Sequence, residues 1–96
     1  MLNNILFMSR VKITIEGSVQ GVFFRYFMKN HATALGLTGY VRNLNNKVEA
    51  VLEGNTDKIK HLIELCRKGP ISAKVTKMDI KDEMYRGEFR SFRIIY

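Results

Sequence analysis

The sequence holds a single cysteine, Cys66, and a single proline, Pro70, in 96 residues. One thiol cannot form an internal disulfide, so the fold must stand without staples, and the composition suits a reducing compartment, the cytoplasm. No apolar run approaches the roughly 18 to 20 residues that cross a bilayer, so no membrane partner is expected. Residues 1–8 lack the basic start and the small-residue cleavage site of a signal peptide, and Met8 is itself a candidate start. They read as an N-terminal extension carrying no fold signal, ahead of one domain at residues 9–96. Internal repeats, low-complexity tracts, linkers and blocks of five or six like charges are all missing.

What is present fits one folded domain with a real core: 46% hydrophobic and 26% charged residues. Basic residues outnumber acidic ones 16 to 9, for a formal charge of +7. That balance favours anionic partners of every kind, nucleic acid and phosphorylated metabolites alike. The basic residues are dispersed, which is the pattern of a solvated surface more than of a nucleic-acid stripe.

Residues 10–16 alternate, with Val11, Ile13 and Ile15 on one face and Lys12, Thr14 and Glu16 on the other, predicting a half-buried strand. From about Phe23 the period changes: Phe24, Phe27, Met28, Ala32 and Leu35 form a helical stripe, with Gly36 placed to cap its end. Residues 38–43 and 47–53 read as a β-hairpin closed by Asn45 and Asn46, which tolerate the positive φ of a tight turn. Asn55 is the expected N-cap of a second helix, whose stripe is Ile59, Leu62, Ile63 and Cys66, and Gly69 with Pro70 stops it. Residues 73–81 return to strand with a bulge expected between Val75 and Met78. A polar connector over residues 82–88 then leads to a short strand at 92–96. The order βαββαβ, with right-handed crossovers, predicts an α/β (α+β) ferredoxin-like sandwich. Its sheet is mixed and mainly antiparallel, both helices lie on one face, a short C-terminal strand is added, and the other face is open to solvent.

The stretch from Gly17 to Arg25 joins the first strand to the first helix. Five or six residues lie there with glycine at both ends, Gly17 and Gly21. Successive backbone N–H groups in such a loop can form an anion-sized concavity, and the helix start adds unpaired N–H groups and the positive end of its dipole. Arg25 supplies a planar cationic fork suited to phosphate oxygens. A plain connecting loop with a surface arginine fits the same spacing.

Gly17-Ser-Val-Gln-Gly-Val-Phe-Phe-Arg25 resembles the first signature of the acylphosphatase family, G-x-V-Q-G-V-x-F-R, at every specified position. Gly39-Tyr-Val-Arg-Asn43-Leu44 is similar to the start of the second signature, and the likeness continues through residues 48–54, Gly69-Pro70 and Gly87-Glu88-Phe89. The resemblance spans about residues 10–96. It implies hydrolysis of the carboxyl-phosphate anhydride of small acyl phosphates, with no cofactor and no metal. It also implies roles: Arg25 as the phosphate-binding arginine, Asn43 as the holder of the attacking water, and the backbone of Ser18, Val19, Gln20, Gly21 and Val22 as the phosphate cradle. If the first two strands are neighbours in the sheet, Asn43 lies beside that loop. One departure stands out. The family usually has a longer, glycine-containing turn where this chain has Leu44-Asn45-Asn46-Lys47. A tightened hairpin tip leaves Asn43 in place, whereas a register shift of one would turn it to the wrong face.

So sparse a site makes chemical sense for this substrate class. The leaving carboxylate has a conjugate acid of pKa about 4 and needs no general acid, so positioning and charge neutralisation suffice. His31 and His61 read as surface or packing residues, Cys66 as core, Tyr40 as a packing aromatic and Arg42 as a solvated charge on the face opposite Asn43. An RNA-binding module shares the element order, but residues 47–53 carry no aromatic for base stacking and include Glu49 and Glu53, so no nucleic-acid partner is expected. A non-catalytic domain binding carbamoyl phosphate or another phosphorylated small molecule is the other alternative. Arg25 and Asn43 together favour turnover, and a chain of this size is expected to act alone, as a monomer.

Overall fold

The central strands show why the pattern folds as it does. In the computed structural model, which describes residues 5–21 and 23–96, strand β1 (Met8–Ser18) turns Val11, Ile13 and Ile15 into the core at 4%, 0% and 0% exposure. Helix α1 (Phe24–Ala34), strands β2 (Thr38–Leu44) and β3 (Lys47–Asn55), helix α2 (Thr56–Lys68) and strands β4 (Lys74–Glu83) and β5 (Phe92–Ile94) follow in order. The sheet order is β4-β1-β3-β2-β5, antiparallel throughout except for the parallel pair β2–β5. Phe24, Met28 and Ala32 of α1 and Ile59, Leu62 and Cys66 of α2 share one core with Ile13, Val41, Val48 and Leu52, so both helices cover the same face. The expected ferredoxin-like sandwich is the observed fold.

Several local expectations are met for visible reasons. Asn45 and Asn46 take φ of 49° and 65°, the two left-handed residues of a tight hairpin turn. The Asn55 side chain accepts from the N–H groups of Asp57 and Lys58, capping α2. The bulge falls where expected: Glu16 pairs with Lys77 and Gly17 with Val75, leaving Thr76 as the extra residue. It also explains Gly17, whose φ is 132° and where a Cβ would sit 2.0 Å from the Lys74 carbonyl oxygen. Burial pushes the Cys66 thiol up to about 12, as befits an inert core residue.

Other expectations need correction. The condition set for Asn43 is not met, since β1 and β2 are not neighbours and β3 lies between them. The first strand starts earlier than the alternation suggests, at Met8, the last residue of the expected extension. A 3-10 turn at Ile5–Phe7 precedes it, fastened by Thr56 Oγ1 donating to the Phe7 carbonyl at 2.9 Å. Residues 1–4 fall outside the described residues. The face away from the helices is not bare either. Glu49, Val51 and Glu53 of β3 are 5%, 3% and 1% exposed beneath Arg10, Lys12, Arg42 and the connector after β4.

Glu53 organises that far face. Its carboxylate accepts the backbone N–H groups of Arg86, Gly87 and Glu88 at 2.8–3.0 Å and pairs with Arg10, which also holds Glu83 and Glu88. Burial alone would raise the Glu53 pKa, but the three N–H groups and Arg10 outweigh it and hold it below 4.5. Glu53→Gln is expected to cost about 2–3 kcal/mol in urea unfolding, because a charge-assisted network loses its charge and one of its two acceptor oxygens to an NH2 donor. The sign of the pH dependence follows from the lowered value. The stabilisation by Glu53 is complete above pH 4.5 and disappears as pH falls through its lower folded-state pKa. The acid limb of stability should therefore be shallower in the variant than in the native protein.

Candidate active site

The β1–α1 loop is anchored at both ends and open in the middle. Ser18 closes β1 against Lys74 and is exposed, while Val19 plugs the core at 1% exposure. Gln20 is exposed, and its Nε2 donates to the Lys47 carbonyl at 2.9 Å. Lys47 pairs with Leu44, the residue after Asn43, so this bond draws the loop to the hairpin that carries Asn43. Gly21 adopts φ 71° with open space where a Cβ would stand, so the backbone angle, not crowding, calls for glycine. Val22, the remaining member of the expected cradle, lies outside the described residues.

The start of α1 is built unlike that of α2. Its N-cap is Phe23, a non-glycine residue at φ 63°, ψ 23°, making no side-chain capping bond, and the first turn holds no acidic residue. The first helical bond runs from Phe27 N–H to the Phe23 carbonyl at 2.9 Å, so the amides of Phe24, Arg25 and Tyr26 precede the ladder. At α2, by contrast, Asn55 satisfies two such amides and Asp57 meets the dipole. The α1 terminus thus keeps the positive character that attracts an anion. A left-handed phenylalanine is strained, and such strain persists where the surrounding structure imposes it.

Arg25 is the second residue of this helix and is half-buried. Among the described residues no carboxylate pairs with it, or with Arg90 and Arg93 in the connector and β5, whereas Arg10, Arg42, Arg67 and Arg86 each have one. Its guanidinium carbon lies 5.2 Å from the centroid of the Tyr96 ring. Asn43 is exposed near the end of β2, where it pairs with Val48, as Ile15 of β1 also does. Asn43 has the same parity as buried Val41, so it faces the helix side, and the shortened turn has not shifted the register. It stands two strand spacings, about 10 Å, from the strand that feeds the loop. β3 therefore separates Asn43 from β1 without removing it from the loop's side of the sheet.

The family model for Acylphosphatase matches residues 11–94. The chain belongs to the acylphosphatase family. It is 47% identical over 90 residues to an acylphosphatase from Syntrophus aciditrophicus (strain SB), covering 93% of this chain and 94% of that one. It is likewise 47% identical over 89 residues to an acylphosphatase from Aeropyrum pernix, covering 91% and 88%. The solved structure of an acylphosphatase from Coxiella burnetii superposes with a TM-score of 0.92 at 33% identity, over 99% of this chain and 100% of that one. The protein is accordingly an enzyme that hydrolyses acyl phosphates.

The remaining candidates of this acylphosphatase fold take structural places. Arg42 turns to the face opposite Asn43 and bonds Glu49 at 2.8 Å, so it is an ion-pair partner and not a free solvated charge. Tyr40 packs edge-on against Phe89, and His31 lies on Phe27 with centroids 4.5 Å apart. Among the described residues no three His, Cys, Asp or Glu side chains converge as metal ligands would. Sequence reasoning missed the Tyr96 ring beneath Arg25. No local signal could reveal it, since the contact depends on the parallel register of β5.

Proposed function

We propose that Arg25 and the backbone of residues 18–22 bind the phosphate of a small acyl phosphate, and that Asn43 orients the water that attacks phosphorus in line. The observation that carries this reading is the start of α1, left without a capping side chain or an acid and bearing an arginine that has no carboxylate among the described residues. A dianionic phosphoryl group supplies the missing partner for both.

Water oxygen bonds to phosphorus as the bond from phosphorus to the acyl oxygen breaks. The leaving carboxylate departs without a proton, because its conjugate acid has a pKa of about 4. Asparagine is a poor base, so both water protons end on the phosphate oxygens, and the products are carboxylate and dihydrogen phosphate. Charge spreads over the equatorial oxygens in the transition state, which Arg25 and the amides meet without reorganising. A phosphate monoester must expel a far more basic alkoxide, and this site assigns it no acid.

The reading has the enzyme working as a monomer in the cytoplasm, with no nucleic acid and no metal, since one chain carries every assigned group. Benzoyl phosphate should be hydrolysed undiminished in excess EDTA, followed by loss of its ultraviolet absorbance, while p-nitrophenyl phosphate should be turned over poorly. A strict metal requirement would overturn the mechanism.

A further inference from the structure

Arg10, Arg42, Arg67 and Arg86 pair with carboxylates, and Arg10 lies over the Phe89 ring as well, whereas Arg25 lies over the Tyr96 ring with no carboxylate among the described residues. Tyr96 is 92% exposed, so burial does not explain its place. Backbone pairing does. β5 runs parallel to β2 with Val41 opposite Ile94, and the Ile95 N–H donates to the Val41 carbonyl at 2.9 Å. Phe92 and Ile94 face the core on the helix side. The chain runs two residues past Ile94 to Tyr96, whose ring meets the guanidinium of Arg25 in the first turn of α1.

The choice of a ring has a chemical logic. A free arginine loses rotamer freedom when it grips phosphate, and prior immobilisation reduces that loss. A carboxylate would immobilise it but would also neutralise the charge and occupy the N–H donors that phosphate needs. A ring face attracts the guanidinium through its π-electrons and leaves the in-plane donors free. We propose that Tyr96 is a positioning residue for Arg25, its ring face holding the guanidinium ready for the substrate phosphate. The inference rests on the assignment of Arg25 to phosphate binding.

The test compares the native protein with Tyr96→Leu and Tyr96→Phe, measuring KM and kcat for benzoyl phosphate, Ki for inorganic phosphate, and Tm. Tyr96→Leu should raise KM and Ki together by about fivefold, the scale of an exposed cation–π contact, with kcat changed less. Tyr96→Phe keeps the ring face and should restore both constants to near native values. Tm should be little altered in either, since the side chain is exposed. An unchanged Ki in Tyr96→Leu would overturn the proposal, and so would an equal loss in Tyr96→Phe, which would assign the effect to the phenol. Native protein that neither turns over benzoyl phosphate nor binds phosphate would instead refute the role of Arg25, and this inference with it, before any variant is compared.

Discussion

Arg25→Ala is expected to lower kcat/KM for benzoyl phosphate by about a thousandfold or more and to abolish competitive inhibition by inorganic phosphate. The expected size follows from how little else at the site carries full charge. The uncapped start of α1 offers about half an elementary charge spread over its amides. Against a dianion that gains charge density on its equatorial oxygens, one permanently ionised fork outweighs every other group assigned to the site. Arg25→Lys should recover only a fraction of the loss, because an ammonium is a point charge and cannot bridge two oxygens. Alanine is a good helix former and Arg25 is half-buried without an ion-pair partner among the described residues, so Tm should move little. Normal turnover by Arg25→Ala would show that the phosphate sits elsewhere.

Asn43→Ala should divide the same constants differently. The kcat is expected to fall by about a hundredfold to a thousandfold while phosphate Ki stays near the native value. The amide has no charge to give the ground-state phosphate. In the proposed mechanism its contribution is to present a water along the line of attack, which matters only as the bond to phosphorus forms. The side chain is exposed at the end of β2, and its strand pairing with Val48 is through the backbone, so truncation leaves the fold intact. A variant that lost phosphate affinity and turnover equally would mean that Asn43 binds the substrate rather than the water. The pair of variants therefore separates binding from attack.

The sandwich is legible in the sequence because its signals are local. β-branched alternation in β1, the stripes of both helices, the two asparagines of the hairpin and the bulge at Thr76 each depend on neighbours a few residues apart. The β1–α1 loop is legible because its glycines and Arg25 are contiguous. What escapes depends on pairing between distant segments. Strand order cannot be read from alternation, so whether β1 and β2 are neighbours stays open in the sequence, and it is β3 that divides them. The far face looks open because Glu49 and Glu53 alternate with core residues. Only the tertiary fold brings Arg10 and the amides of residues 86–88 to Glu53. Tyr96 beneath Arg25 belongs to the same class.

Of the five strands, β1 leaves a ribosome first, yet it ends in the interior of the sheet, flanked by β3 and β4. Its contacts with β4 and the connector join residues as far apart as Arg10 and Glu83, separated by 73 positions, and Arg10 and Glu88, separated by 78. Until β4 and that connector have been made, β1 has one edge without its partner and the far-face ion pairs cannot close. Each closure spends chain entropy before its contacts form, so the domain should fold as a unit after synthesis, on the millisecond-to-second scale of long-range topologies. During that interval the nascent chain presents an unpaired, β-branched strand edge, and the time at risk of misassociation is set by the last third of the sequence, not the first.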